Sequence, residues 1–148
     1  MLGRKRNFAQ QKIDVLAEIR LFGACSREEL GELARLFDEA ERPAGTVLVR
    51  EGDAGREFYV IVDGTATASV AGEQLAKLGP GDFFGEMSLL EHAPRAATIT
   101  ADTDLELLVM DPRSFSSLVG AAPSVGMRMM RTLSERLRSV ESAAATIS

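Results

Sequence analysis

The chain has 148 residues, of which 45% are hydrophobic and 26% charged, enough for one domain with its own core and too few for two ordinary ones. The net charge of −5 argues against nucleic acid as the main partner, because phosphate binding wants a basic face. No apolar run approaches the roughly 20 residues that cross a bilayer. Cys25 is the single cysteine, so no internal disulfide forms. The basic start Met1-Leu2-Gly3-Arg4-Lys5-Arg6 leads into no apolar stretch, since Asn7, Gln10, Gln11, Lys12 and Asp14 interrupt it. A cytoplasmic protein is expected, with no nucleic-acid and no membrane partner.

In chain order the sequence reads as one domain over 1–148: helical over 8–37, a β core over 38–111, and C-terminal helices over 112–142. Ile13, Leu16 and Ile19 share a helix face. After a break at Gly23, Ser26-Arg27-Glu28-Glu29 has the form of a capping box, with Ser26 as N-cap. Leu30, Leu33, Leu36 and Phe37 make the apolar face behind it. Glycines at 45, 52, 55, 64, 72, 79 and 81 then punctuate short apolar runs, the pattern of an all-β region. Thr46-Val47-Leu48-Val49, Phe58 to Val62 and the alternating Thr65 to Val70 read as strands, with Asp63-Gly64 as a hairpin turn between the last two. Thr98-Ile99-Thr100 and Leu105 to Met110 suggest a second pair. The fold class expected is mainly β with flanking helices, an eight-stranded jelly-roll-like barrel or sandwich. Pro112 opens a short helix. After Pro123 a longer one carries Gly126, Met130, Leu133, Leu137 and Val140 at three-four spacing.

One segment breaks the β pattern. Gly79-Pro80-Gly81-Asp82 is a turn and Phe83-Phe84 a very short strand. Gly85 to Glu91 reads as one or two helical turns, stopped before Pro94, and Arg95 follows at once. A helix N-terminus with a cation beside it suits an anion. Gly85 lets a ligand approach the backbone, and Arg95 presents a planar fork to phosphate oxygens. Glu86 repels bare phosphate and needs a reason to be there; a ribose hydroxyl that donates to it supplies one.

The run Phe-Gly-Glu-x-x-Leu-Leu-x-x-x-Pro-Arg-x-Ala-Thr, from Phe84 to Thr98, resembles the phosphate-binding cassette of cyclic-nucleotide-binding domains. Such domains occur in protein kinase A regulatory subunits, the catabolite activator protein and nucleotide-gated channels. Arg50-Glu51-Gly52-Asp53-Ala54-Gly55 resembles the family's early glycine loop. Arg56 departs from the family, where an acidic residue is common. The resemblance implies that Arg95 binds the cyclic phosphate and Glu86 the ribose 2′-hydroxyl. It implies that Phe84 and the backbone of Gly85, Met87, Ser88, Ala96 and Ala97 complete the cradle. Cyclic-GMP-selective members often carry Thr after the Arg. Ala96 stands here, so cyclic AMP is the expected ligand and cyclic GMP the alternative. Met127, Met130, Arg131 and Ser134 are candidates to cap the base.

The sequence shows no metal-ligand cluster, acid–base pair or activated nucleophile. No enzyme, metal or cofactor is expected. His92 reads as an exposed residue, Cys25 as a packed small hydrophobe. The expected role is a sensor whose C-terminal helix is repositioned by ligand, and homodimerisation through that helix is an option. Two alternatives stand beside it. One is a degenerate interaction domain without ligand. The other is the regulatory part of a larger transcription factor or effector; DNA reading would need a helix-turn-helix, and none appears before Ser148.

Overall fold

The computed structural model describes residues 12–55, 57–85, 94–121, 123–128 and 131. Helix α1 covers 12–18. A single 3-10 turn at Arg20–Phe22 leads to α2, Arg27–Leu36. The expected capping box starts α2: the Glu29 N–H donates to Ser26 Oγ at 3.1 Å, and the Ser26 N–H to Glu29 Oε1 at 2.8 Å. Eight strands follow among the described residues: β1 Asp38–Arg42, β2 Val47–Val49, β3 Phe58–Asp63, β4 Ala66–Val70, β5 Glu73–Leu78, β6 Phe83–Phe84, β7 Thr98–Ala101 and β8 Leu105–Met110. Helix α3, Pro112–Ala121, comes next, and residues 123–128 are again helical.

The strands form two four-stranded antiparallel sheets, ordered β1-β8-β3-β6 and β2-β7-β4-β5. This is the expected jelly-roll-like sandwich, with two corrections to the pairing. Asp63-Gly64 is not a hairpin turn. It carries the chain from the first sheet to the second, because β3 pairs with β6 and β8 while β4 pairs with β5 and β7. Gly64 has φ +95°, and a Cβ there would meet Asp104 O at 2.3 Å, so glycine is required by the crossing itself. Likewise β7 and β8 are not a pair: each lies in a different sheet. The tight hairpin joins β4 to β5, with Val70 opposite Glu73. Its two turn residues, Ala71 and Gly72, have φ 52° and 81°, the double positive φ that matches strand twist.

The burial pattern explains why the strands read so differently in sequence. Along β3, Phe58 and Val60 enter a cluster with the helices, holding Leu16, Phe22, Leu30, Leu33, Phe37, Phe83, Leu108, Met110, Leu118 and Val125. Ile61 enters a second cluster inside the sandwich, with Ala66, Phe84, Ile99, Ala101, Leu105 and Leu107. The first sheet is therefore covered on both faces, and Phe58 to Val62 and Leu105 to Met110 are nearly continuous apolar runs. The second is covered on one face, and Ala66 to Val70 alternates. An aromatic series, Phe22–Phe37–Phe58–Phe83, with successive ring centroids 6.0, 6.2 and 5.6 Å apart, runs through the helical cluster. On β6, Phe83 belongs to that series while Phe84 turns into the sandwich and stacks on Tyr59, centroids 4.8 Å apart and planes at 12°. Among the described residues no helix is long and apolar enough to cross a membrane.

Candidate functional site

The two segments singled out in sequence meet in space. The Gly52 N–H donates to Arg95 O at 2.8 Å, and the Arg95 N–H donates to Asp53 O at 2.9 Å. This two-bond clasp holds the backbone of Arg95 against the loop between β2 and β3. The loop in turn is fastened by Glu51. Its N–H donates to Thr98 Oγ1 at 3.0 Å, and its carboxylate accepts the Ala71 N–H at 3.0 and 3.2 Å. Glu51 thus ties the loop to β7 and to the β4–β5 hairpin at once.

The Arg95 side chain is 5% exposed. Its Nη2 donates to the carbonyl oxygen of Glu57 at 3.0 Å, and Glu57 Oε1 lies 3.8 Å from the same nitrogen. Among the described residues Nε and Nη1 have no hydrogen-bond partner. Two glycines frame this guanidinium. A Cβ on Gly55 would fall 2.2 Å from Nε; one on Gly85, whose φ is +89°, would fall 2.4 Å from Glu57 O and 2.8 Å from Nη1. Gly85 therefore makes room for the arginine and its carbonyl partner, a role that sequence reading did not give it. Arg95 also lines a cavity of about 220 Å³ with Val49, Arg50, Asp53, Glu57 and Tyr59. Burial pushes the Tyr59 phenol up from its ordinary pKa; the Glu57 carboxylate adds to the shift and Arg95 opposes it. Buried N–H donors left without acceptors carry a desolvation cost, and an oxyanion in reach of them would offset it.

Phe84 is buried, Ala96 exposed and Ala97 half-buried. Glu86, Met87 and Ser88, the expected short helix over 86–91 and His92 lie outside the described residues, as does Arg56. So do Met130 and Ser134, while Met127 and Arg131 are exposed. Glu57, Tyr59 and the Glu51 fastening were not foreseen, because nothing local in sequence marks contacts made by residues 38 or 47 positions apart. Cys25 is half-buried, and burial followed by the nearby Glu29 raises its thiol pKa, which suits packing and not nucleophilic chemistry.

Residues 39–121 match the profile of the cyclic nucleotide-binding domain family. A cAMP-dependent protein kinase regulatory subunit of Pyricularia oryzae is 35% identical over 115 residues, covering 76% of this chain and 30% of that protein. A cyclic nucleotide-gated potassium channel of Mesorhizobium japonicum is 34% identical over 129 residues, covering 87% of this chain and 36% of the channel. The chain thus spans about a third of the length of these curated relatives. The crystal structure of the Thermus thermophilus catabolite activator protein superposes with a TM-score of 0.80 at 30% identity, covering 86% of this chain and 62% of that one. With the sandwich, the glycine loop and the buried arginine in place, the chain belongs to the cyclic nucleotide-binding domain family, and the domain it forms is regulatory and non-catalytic.

Proposed function

We propose that this domain binds cyclic AMP and passes the event to its C-terminal helix. The observation that carries the reading is Arg95: a guanidinium 5% exposed, with Nε and Nη1 unpaired among the described residues, held by backbone bonds to the loop at Gly52 and Asp53. The cyclic phosphate is the anion those donors take. Glu86 accepts from the ribose 2′-hydroxyl, and Phe84 with the backbone of Gly85, Met87, Ser88, Ala96 and Ala97 completes the cradle. The base preference rests on Ala96, which offers no hydroxyl to a guanine, and on relatives named as cAMP-dependent.

Titration calorimetry with cyclic AMP and cyclic GMP tests this. Micromolar or tighter cyclic AMP binding is expected, with cyclic GMP weaker. Arg95→Ala should lose at least tenfold, since one charged hydrogen bond is worth about 1.5–3 kcal/mol. Arg95→Lys should not restore it, because a point charge lacks the planar fork. Parent-like binding by Arg95→Ala removes the site; equal affinities for the two nucleotides remove the base preference.

A further inference from the structure

We propose that Glu57 sets the affinity of this site, its carboxylate serving as the resident counter-charge of Arg95 and competing with the phosphate of an incoming nucleotide. The inference rests on the anion-binding reading of Arg95 given above. Glu57 Oε1 lies 3.8 Å from Nη2, beyond hydrogen-bond range, so the attraction is Coulombic and no geometry locks it. The carboxylate stays near for a backbone reason. The carbonyl of the same residue accepts from Nη2 at 3.0 Å, and β3 begins at the next residue, Phe58. Among the described residues no other carboxylate pairs with this guanidinium. Its two partners are unequal: the arginine side chain is 5% exposed and the glutamate side chain 50%. The glutamate can therefore swing into water when an anion arrives, but it takes its negative charge only a short way from the same cavity, which it lines. Partial neutralisation of Arg95 before binding and repulsion of the phosphate after it have the same sign. Both weaken binding.

Glu57→Gln keeps the size of the side chain and the backbone carbonyl while removing the charge. Calorimetry should show cyclic AMP binding roughly two- to fivefold tighter in this variant than in the parent. The gap should narrow in about 0.5 M salt, where the Debye length falls to a few ångströms; a purely structural contact would not respond so. A second readout needs no nucleotide. The chain has one tyrosine and no tryptophan, so an absorbance titration of tyrosinate reads Tyr59 alone, and Glu57→Gln should lower its pKa. If the parent binds and Glu57→Gln binds equally or more weakly, Glu57 supports Arg95 and does not oppose the ligand, and the proposal falls alone. If neither protein binds, the reading of Arg95 as a phosphate site falls and takes this one with it. An unmoved Tyr59 would show that the carboxylate does not act across the cavity, which also overturns it.

Discussion

Arg95 works against the fold that holds it. Its guanidinium is almost fully buried, accepted by one carbonyl, and left with unpaired Nε and Nη1 among the described residues. Removing one partner of a buried ion pair is costly when it strands the other charge away from water. Here the partner is the Glu57 carboxylate, whose side chain is 50% exposed, so an apolar side chain of similar length removes the desolvation cost of the guanidinium without burying an unpaired charge. Arg95→Met is therefore expected to unfold in urea at the parent's midpoint or above it, while losing cyclic AMP by at least tenfold. A variant that loses stability and binding together would mean that the arginine is structural. Gly55→Ala is expected to lose binding as well, by displacing the guanidinium and not by removing it. Its φ is unexceptional, but the added Cβ would sit 2.2 Å from Arg95 Nε, so the guanidinium must move out of its place and binding should fall. The arginine was legible in sequence because it sits within the long, specific run from Phe84 to Thr98 that resembles the family's phosphate-binding cassette. The reason for Gly55 was not, since the atom it must avoid lies 40 residues further along the chain, and only the fold brings the two together.

Among the elements, β3, β6 and β8 of the first sheet announce themselves in sequence by continuous hydrophobicity, though not by their partners; β1, Asp38–Arg42, is mostly charged and exposed and carries no such signal. Asp63-Gly64 has the chemistry of a tight turn, and it makes a turn, but a jelly-roll uses that turn to change sheets. The hairpin at Ala71-Gly72 was overlooked because alanine is not a residue that signals positive φ; its φ is 52°. β5 carries no sequence signal either: an edge strand, Glu73–Leu78, half of it polar and exposed along almost its whole length. Alanine in the left-handed region costs roughly 1–2 kcal/mol, so Ala71→Gly should raise urea stability by somewhat less than about 1 kcal/mol, the added chain entropy of glycine taking back part of the gain. A lower midpoint would show that the Ala71 methyl does work the backbone angle does not reveal. Helix α3 gives a pH-dependent case. The Ser114 N–H donates to Asp111 Oδ1 at 2.8 Å, and that bond to the backbone, ahead of every other influence, holds the Asp111 carboxyl below its ordinary pKa. A depressed folded pKa means that the contribution is complete above the unfolded value, near pH 4, and is lost as pH falls through the folded one. Asp111→Ala should cost about 1 kcal/mol at neutral pH, as the loss of an N-cap does. The difference from the parent should shrink as the pH drops below about 4. A gap that stays constant into acid would place the cost elsewhere than in the cap.

At the scale of the whole molecule, β6 is where the site and the helices touch. Its two residues face opposite ways: Phe84 stacks on Tyr59 beside the arginine cavity, and Phe83 packs in the cluster that also holds Phe58, Leu118 and the fully buried Val125. Val125 belongs to the helical stretch 123–128, which is tied to α2 as well, with Ser124 Oγ donating to Glu29 Oε2 at 3.3 Å. A ligand biases such an assembly only through a difference in affinity between two arrangements. Gly85 follows β6 directly, so a backbone adjustment at Gly85 on binding would reach packed side chains through Phe83 before it reached solvent. Hydrogen exchange with and without cyclic AMP is expected to show protection rising over 84–97 and changing over 123–131. Phe83→Leu keeps an apolar side chain in the cluster but removes the ring that meets Phe58. It should leave affinity within a few-fold of the parent and reduce the response at 123–131, because the site-facing residue is untouched and the helix-facing one is blunted. The opposite pattern, a full helix response in Phe83→Leu, would place the connection in some other contact. A cassette that responds in the parent while 123–131 stays unchanged would mean that the domain binds its nucleotide without switching.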